Sequence, residues 1–139
     1  MSSEENMQRL RRYLTAVDSG DESRVLTLIE ELVAEGYVAH MAGSTLQGRD
    51  GLKAHVRGAF ATFANMEHIV EDEFASGDKV VTRVRFRAVQ KGEFLGRAPS
   101  GQKIECPIIY IHRFAEGRIQ EAWLDWDALF VVAHQLGAA

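Results

Sequence analysis

The stretch Lys79–Gln90, KVVTRVRFRAVQ, alternates strictly. Val80, Thr82, Val84, Phe86 and Ala88 fall on one side, and Val81, Arg83, Arg85 and Arg87 on the other. A period of two over this length predicts a long, half-buried strand. Just before it, Ser76-Gly77-Asp78 is a turn signal, and residues 66–74 alternate again upstream of that turn. Downstream, residues 92–101 hold three glycines and Pro99 and read as a connection. Residues 103–114 are rich in isoleucine and predict the next strand. Glu116-Gly117 suits a hairpin turn, and residues 118–126 form the last strand. Residues 127–136 are apolar enough for a short packed C-terminal segment.

Working toward the N-terminus, the period changes to that of helices. Leu52, Val56, Ala59, Phe60 and Phe63 form an apolar stripe. Residues 41–51 carry Gly43, Gly48 and Gly51 and read as loop. Val25, Leu28, Ile29 and Leu32 mark an earlier helix, which Gly36 is expected to break before a short strand at Tyr37-Val38-Ala39-His40. Met7, Leu10, Leu14 and Val17 mark the first helix, ended by Gly20. Ser2 with Glu5 three residues on has the spacing of a capping box. Three helices followed by about four antiparallel strands, without repeats or linker, imply one α+β domain over residues 1–139. Helices on the concave face of a curved sheet would enclose a cone-shaped pocket.

Composition agrees with one ordinary globular domain. The chain has 139 residues, 46 % of them hydrophobic and 26 % charged. Its area on folding should be roughly 7,200 Å². The formal net charge of −4 argues against a nucleic-acid partner. The Arg83, Arg85, Arg87 row is then a solvated sheet face. A single cysteine, Cys106, excludes an intrachain disulfide and a cysteine-rich zinc site. The five histidines include no H-x-x-x-H pair, so no metal is expected. His68 and His134 have no partner evident in the sequence. The opening MSSEENMQRLRR lacks an apolar run after its charges, and no run approaches the ~18 residues of a membrane span. The expectation is a soluble cytoplasmic protein.

Three pieces, taken together, carry a resemblance. They are GDKVVTRVRFRAVQKGEFLGRAPSGQKI (Gly77 to Ile104), YIHRFAEGRIQEAW (Tyr110 to Trp123) and the terminal QLG (Gln135 to Gly137). Nearly the whole chain resembles the SnoaL-like polyketide cyclases, within the nuclear-transport-factor-2-like superfamily of cone-shaped α+β domains. In the first piece the family pattern is H-x-G-x-F-x-G-x-x-P-x-G. Here Gly92, Phe94, Gly96, Pro99 and Gly101 keep the frame, while Gln90 stands two positions before Gly92. Those residues are read as structural. The fold hosts several activities, so the resemblance specifies fold more than reaction.

The resemblance implies an intramolecular aldol condensation that needs no metal or cofactor. A base removes a proton alpha to a carbonyl, and hydrogen-bond donors hold the enolate. The family's base is an aspartate on the last strand, and Asp125 in the pair Asp125-Trp126 is the candidate, with Asp127 second. An ungapped register from Gly117-Arg118-Ile119 instead puts Leu124 at that position. A one-residue bulge would restore Asp125. Tyr110 and His112 share strand parity with Ile108 and are candidate enolate donors. Tyr13 on the first helix and His40 after the short strand are further candidates. Ile108, Leu124, Trp126, Phe86 and Val84 are expected to line an apolar cup.

Two other readings stand beside the cyclase. One is a ketosteroid-isomerase-like proton shuttle, with Tyr13 as donor and His40 as base. The other is a small-molecule-binding module without chemistry, which a leucine at the base position favours. The resemblance also implies a homodimer through the outer sheet face, with the arginine row meeting Glu71 and Glu73 of a second copy.

Overall fold

A computed structural model of the chain describes residues 2–41, 43–125 and 127–137, the side chains of residues 127–130 excepted. Helix α1 (Ser3–Asp18) starts at the expected capping box: the Ser2 hydroxyl accepts from the Glu5 N–H, and the Glu5 carboxylate accepts from the Ser2 N–H. Helix α2 (Glu22–Leu32) is capped by Asp21 and buries Val25, Leu28, Ile29 and Leu32. Strand β1 (Val33–Met41) follows without a loop, and β2 (Ser44–Gln47) folds back on it. Helix α3 (Gly48–Thr62) runs directly into β3 (Phe63–Ser76). Then come β4 (Lys79–Gln90), β5 (Lys103–Ala115), β6 (Arg118–Leu124) and α4 (Asp127–Gln135).

The strand order is β2-β1-β6-β5-β4-β3 in one curved sheet with helices against it. Every pairing is antiparallel except β1 with β6, which is parallel. The run of about four antiparallel strands expected after the third helix is β3–β6, while β2 and the parallel joining of β1 to β6 were not expected. Two strands lie between the second and third helices. Gly36 does not break α2; it lies within β1, where the pairing with β6 shifts register between Val33 and Val38. An irregularity of that kind accommodates a glycine in a strand. The supposed loop at residues 41–51 contains β2 and the start of α3, with Gly43 at φ +73° in the tight turn before β2.

The inward face of β4 is Val80, Thr82, Val84, Phe86, Ala88 and Gln90, all buried. The arginines lie outside and pair within the chain. Arg83 bonds Asp72 and Glu71, Arg85 bonds Glu71 and Glu105, and Arg87 bonds Glu105. Glu73 points the other way and holds Arg11 of α1 at 2.7 Å. Neither Glu71 nor Glu73 is therefore left over for the arginines of a second copy. The folded surface is 7417 Å², close to the size expectation. Among the described residues no helix is long and apolar enough to cross a membrane.

Candidate functional site

A cavity of about 410 Å³ lies between the helices and the concave face of the sheet. Its wall is mainly apolar, including Leu10, Val56, Phe60, Phe63, Phe86 and Ile108. Tyr13, Tyr37, His68, Tyr110 and His112 interrupt that wall with polar groups.

Tyr110 and His112 point inward because β5 alternates, and they stand with ring centroids 5.6 Å apart. Burial pushes the Tyr110 and Tyr13 phenols far above their ordinary range, so both stay protonated donors. Burial lowers His112 to about 4, so its ring is neutral near pH 7. Its Nδ1 is buried without a protein partner. The same dry wall raises the Cys106 thiol to about 11, which makes it a poor nucleophile.

The register of β5 with β6 pairs Tyr110 with Leu124 and His112 with Ala122. Leu124 therefore takes the inward position at the end of β6, and no bulge intervenes between it and Ala122. Asp125 follows the strand's last residue. It is exposed, lies at the cavity wall, and its N–H donates to the Ile109 carbonyl at 3.1 Å. Trp126 lies outside the described residues. Asp127 begins α4, but its side chain is likewise outside them.

His40 does not reach the cavity. It pairs with Trp123 in register, so both face outward, and their rings stack at 5.5 Å. Its Nε2 bonds Glu121 at 2.7 Å, which lowers the glutamate's pKa. Tyr13 does line the cavity, but His40 is on the far side of the sheet from it. Val84 is buried and inward yet lies outside the cavity wall; Ile108, Leu124 and Phe86 are in it.

The sequence did not reveal a pairing between α1 and β3. The last residue of α1, Asp18, accepts from the ring Nδ1 of His68 at 2.6 Å and from its backbone N–H at 2.7 Å. His68 lines the cavity 5.1 Å from the Phe86 ring and 6.5 Å from the Tyr110 ring, centroid to centroid. One signal was available. An acidic residue at a helix C-terminus opposes the helix dipole, and α1 has no basic residue in its last turn to offset it.

The loop after β4 is held from inside. Gln90, fully buried, donates to the carbonyls of Gly92 and Arg97 and accepts from the Ser100 hydroxyl. This fixes Phe94 in the cavity wall. Gln135 of α4 bonds both the N–H and the carbonyl of Glu105. It thereby occupies a part of the β5 edge that β6 does not reach, and Val132 of the same helix joins the cavity wall. Among the described residues no group of three His, Cys, Asp or Glu side chains is placed to hold a metal ion.

The SnoaL-like polyketide cyclase family model matches residues 8–135. A protein from Jannaschia sp. CCS1, provisionally described as a SnoaL-like polyketide cyclase, is 23 % identical with a TM-score of 0.86, covering 99 % of this chain and 95 % of that one. IdmH from Streptomyces antibioticus, itself provisionally a polyketide cyclase, is 29 % identical with a TM-score of 0.77, covering 96 % and 99 %. A protein of ketosteroid isomerase-like fold from Catenulispora acidiphila, solved with trimethylamine, is 19 % identical with a TM-score of 0.74, covering 94 % and 93 %. No curated protein matches the sequence. The inward-facing β4 and β5, the glycine frame after Gln90 and the terminal Gln135 clamp are thus features of a chain that belongs to the SnoaL-like polyketide cyclase family.

Proposed function

We propose that the chain is a cofactor-independent acid/base enzyme of polyketide-cyclase type, acting on a hydrophobic carbonyl compound by intramolecular aldol condensation. The observation that carries this reading is the pair Tyr110 and His112 in the dry wall of an apolar cavity. A carbonyl becoming an enolate gains negative charge on oxygen. A protonated phenol in a low-dielectric wall donates to that charge more strongly than water does. A cavity of this size lies within the range that encloses small ligands. Asp125 at the wall is one candidate base.

The test is α-proton exchange in D2O with 2-tetralone as the probe, read at C1 by mass spectrometry. The wild-type chain should exchange C1 protons well above the buffer rate. Tyr110→Phe should lose about 10²-fold of that rate. A probe that binds in the cavity without exchange would instead support a non-catalytic binding module, the reading that Leu124 at the end of β6 favours.

We also propose a homodimer through the outer sheet face. Phe74, Val81, Ile111 and Trp123 are successive cross-strand partners there, and Phe74 is 58 % exposed. Light scattering at micromolar concentration should give twice 15.5 kDa. A monomer mass would remove the proposal.

A further inference from the structure

We infer that His68, oriented by Asp18, is the catalytic base of this cavity, a role that rests on the acid/base reading above. A carboxylate can only accept, so the 2.6 Å contact places a ring proton on Nδ1, and in the neutral ring the lone pair is then on Nε2. The second bond, from the His68 backbone N–H to the other Asp18 oxygen, fixes the carboxylate against the strand. Ring and carboxylate are thus locked as a pair, with the His68 side chain 7 % exposed and in the cavity wall.

Of the cavity histidines, His68 on β3 and His112 on β5, two strands apart in one sheet, differ in what stands behind them. His112 has no carboxylate partner, and its ring is held neutral. His68 has Asp18, whose charge compensates the imidazolium formed when a proton arrives. The C-terminal end of α1 adds negative potential at the same place. One wall therefore holds a group suited to taking a proton and, 6.5 Å away, a phenol suited to holding an oxyanion.

In the reaction, Nε2 takes the α-proton of the substrate. The C–H pair becomes the C=C of the enolate, and the carbonyl π pair moves to oxygen, held by Tyr110. The enolate carbon then attacks a second carbonyl of the same molecule and forms the C–C bond. The resulting alkoxide recovers the proton from the His68 imidazolium. No oxidant, reductant or co-reactant enters. The substrate class is a molecule with an acidic C–H next to one carbonyl and a second carbonyl within reach.

A structural role is the competing explanation, since Arg11 and Glu73 also tie α1 to β3. The 2-tetralone exchange assay separates the two. His68→Gln, which retains a donor for Asp18, should keep its circular dichroism and lose about 10²-fold or more in exchange kcat. His68→Ala should regain exchange on adding free imidazole, which a docking role cannot explain. Asp18→Asn should lower kcat with KM unchanged. Wild-type exchange with His68→Gln near the wild-type rate overturns the inference and leaves the acid/base reading standing. A folded His68→Ala that imidazole does not rescue, or an Asp18→Asn with unchanged kcat, also overturns it. A bound probe that the wild-type chain fails to exchange overturns the reading itself, and the inference with it.

Discussion

His112 pays a measurable cost for its place in the wall. The ring titrates near 6.5 in an unfolded chain and near 4 when buried here. Between those values the unfolded state binds a proton that the native state does not, so stability rises with pH across the window. It is complete above about pH 6.5 and is lost as pH falls toward 4. Urea unfolding at pH 7 and pH 4.5 should show the wild type losing about 2 kcal/mol more than His112→Asn. Equal losses would show that burial does not hold the ring neutral. Strand parity made Tyr110 and His112 legible as inward residues. The position of Leu124 was not settled, because the β5–β6 pairing shifts register between Arg113 and Phe114, passing over Gln120, and that irregularity beside the turn decides which side Leu124 takes. The pairing of Asp18 with His68 was not legible either, because 50 residues separate them and only the packing of α1 on β3 brings them together.

At the scale of elements, the segment after β4 shows what the family's glycine frame does. A Cβ on Gly92 would stand 2.4 Å from the Ala61 carbonyl oxygen, a clash with backbone that cannot swing aside. Gly92→Ala should therefore destabilise the protein and push α3 from β4, whereas Gly96→Ala meets open space and is strained only by its φ of +78°. Gln90→Ala should cost about 2–3 kcal/mol, since it removes three hydrogen bonds made by a fully buried side chain and takes the side-chain donor from the Gly92 carbonyl. Thermal melts of the three variants check the order: Gly92→Ala and Gln90→Ala well below wild type, Gly96→Ala nearer to it. The helices and the hairpin strands were readable because their periods are local. Strands β1 and β2 were not fully readable. Glycines that mark loops in the pattern here serve a register shift and a tight turn, and the parallel pairing of β1 with β6 is a long-range choice.

At the scale of the molecule, the helices and the sheet enclose an apolar space whose polar groups come from α1, β1, α3, β3 and β5. The arginine row of β4 lies on the outer face, where it neutralises its own chain's acids. On the reading proposed above, this space is built for an enolate rather than for its ketone. An enzyme binds the species nearer its transition state more tightly. Calorimetry with 2-naphthol, a planar enol mimic, and with 2-tetralone measures that preference in the wild type and in Tyr110→Phe. In the wild-type chain 2-naphthol should bind about tenfold tighter or more than 2-tetralone, with the advantage lost in Tyr110→Phe. Equal affinities for the two in the wild-type chain would contradict that reading.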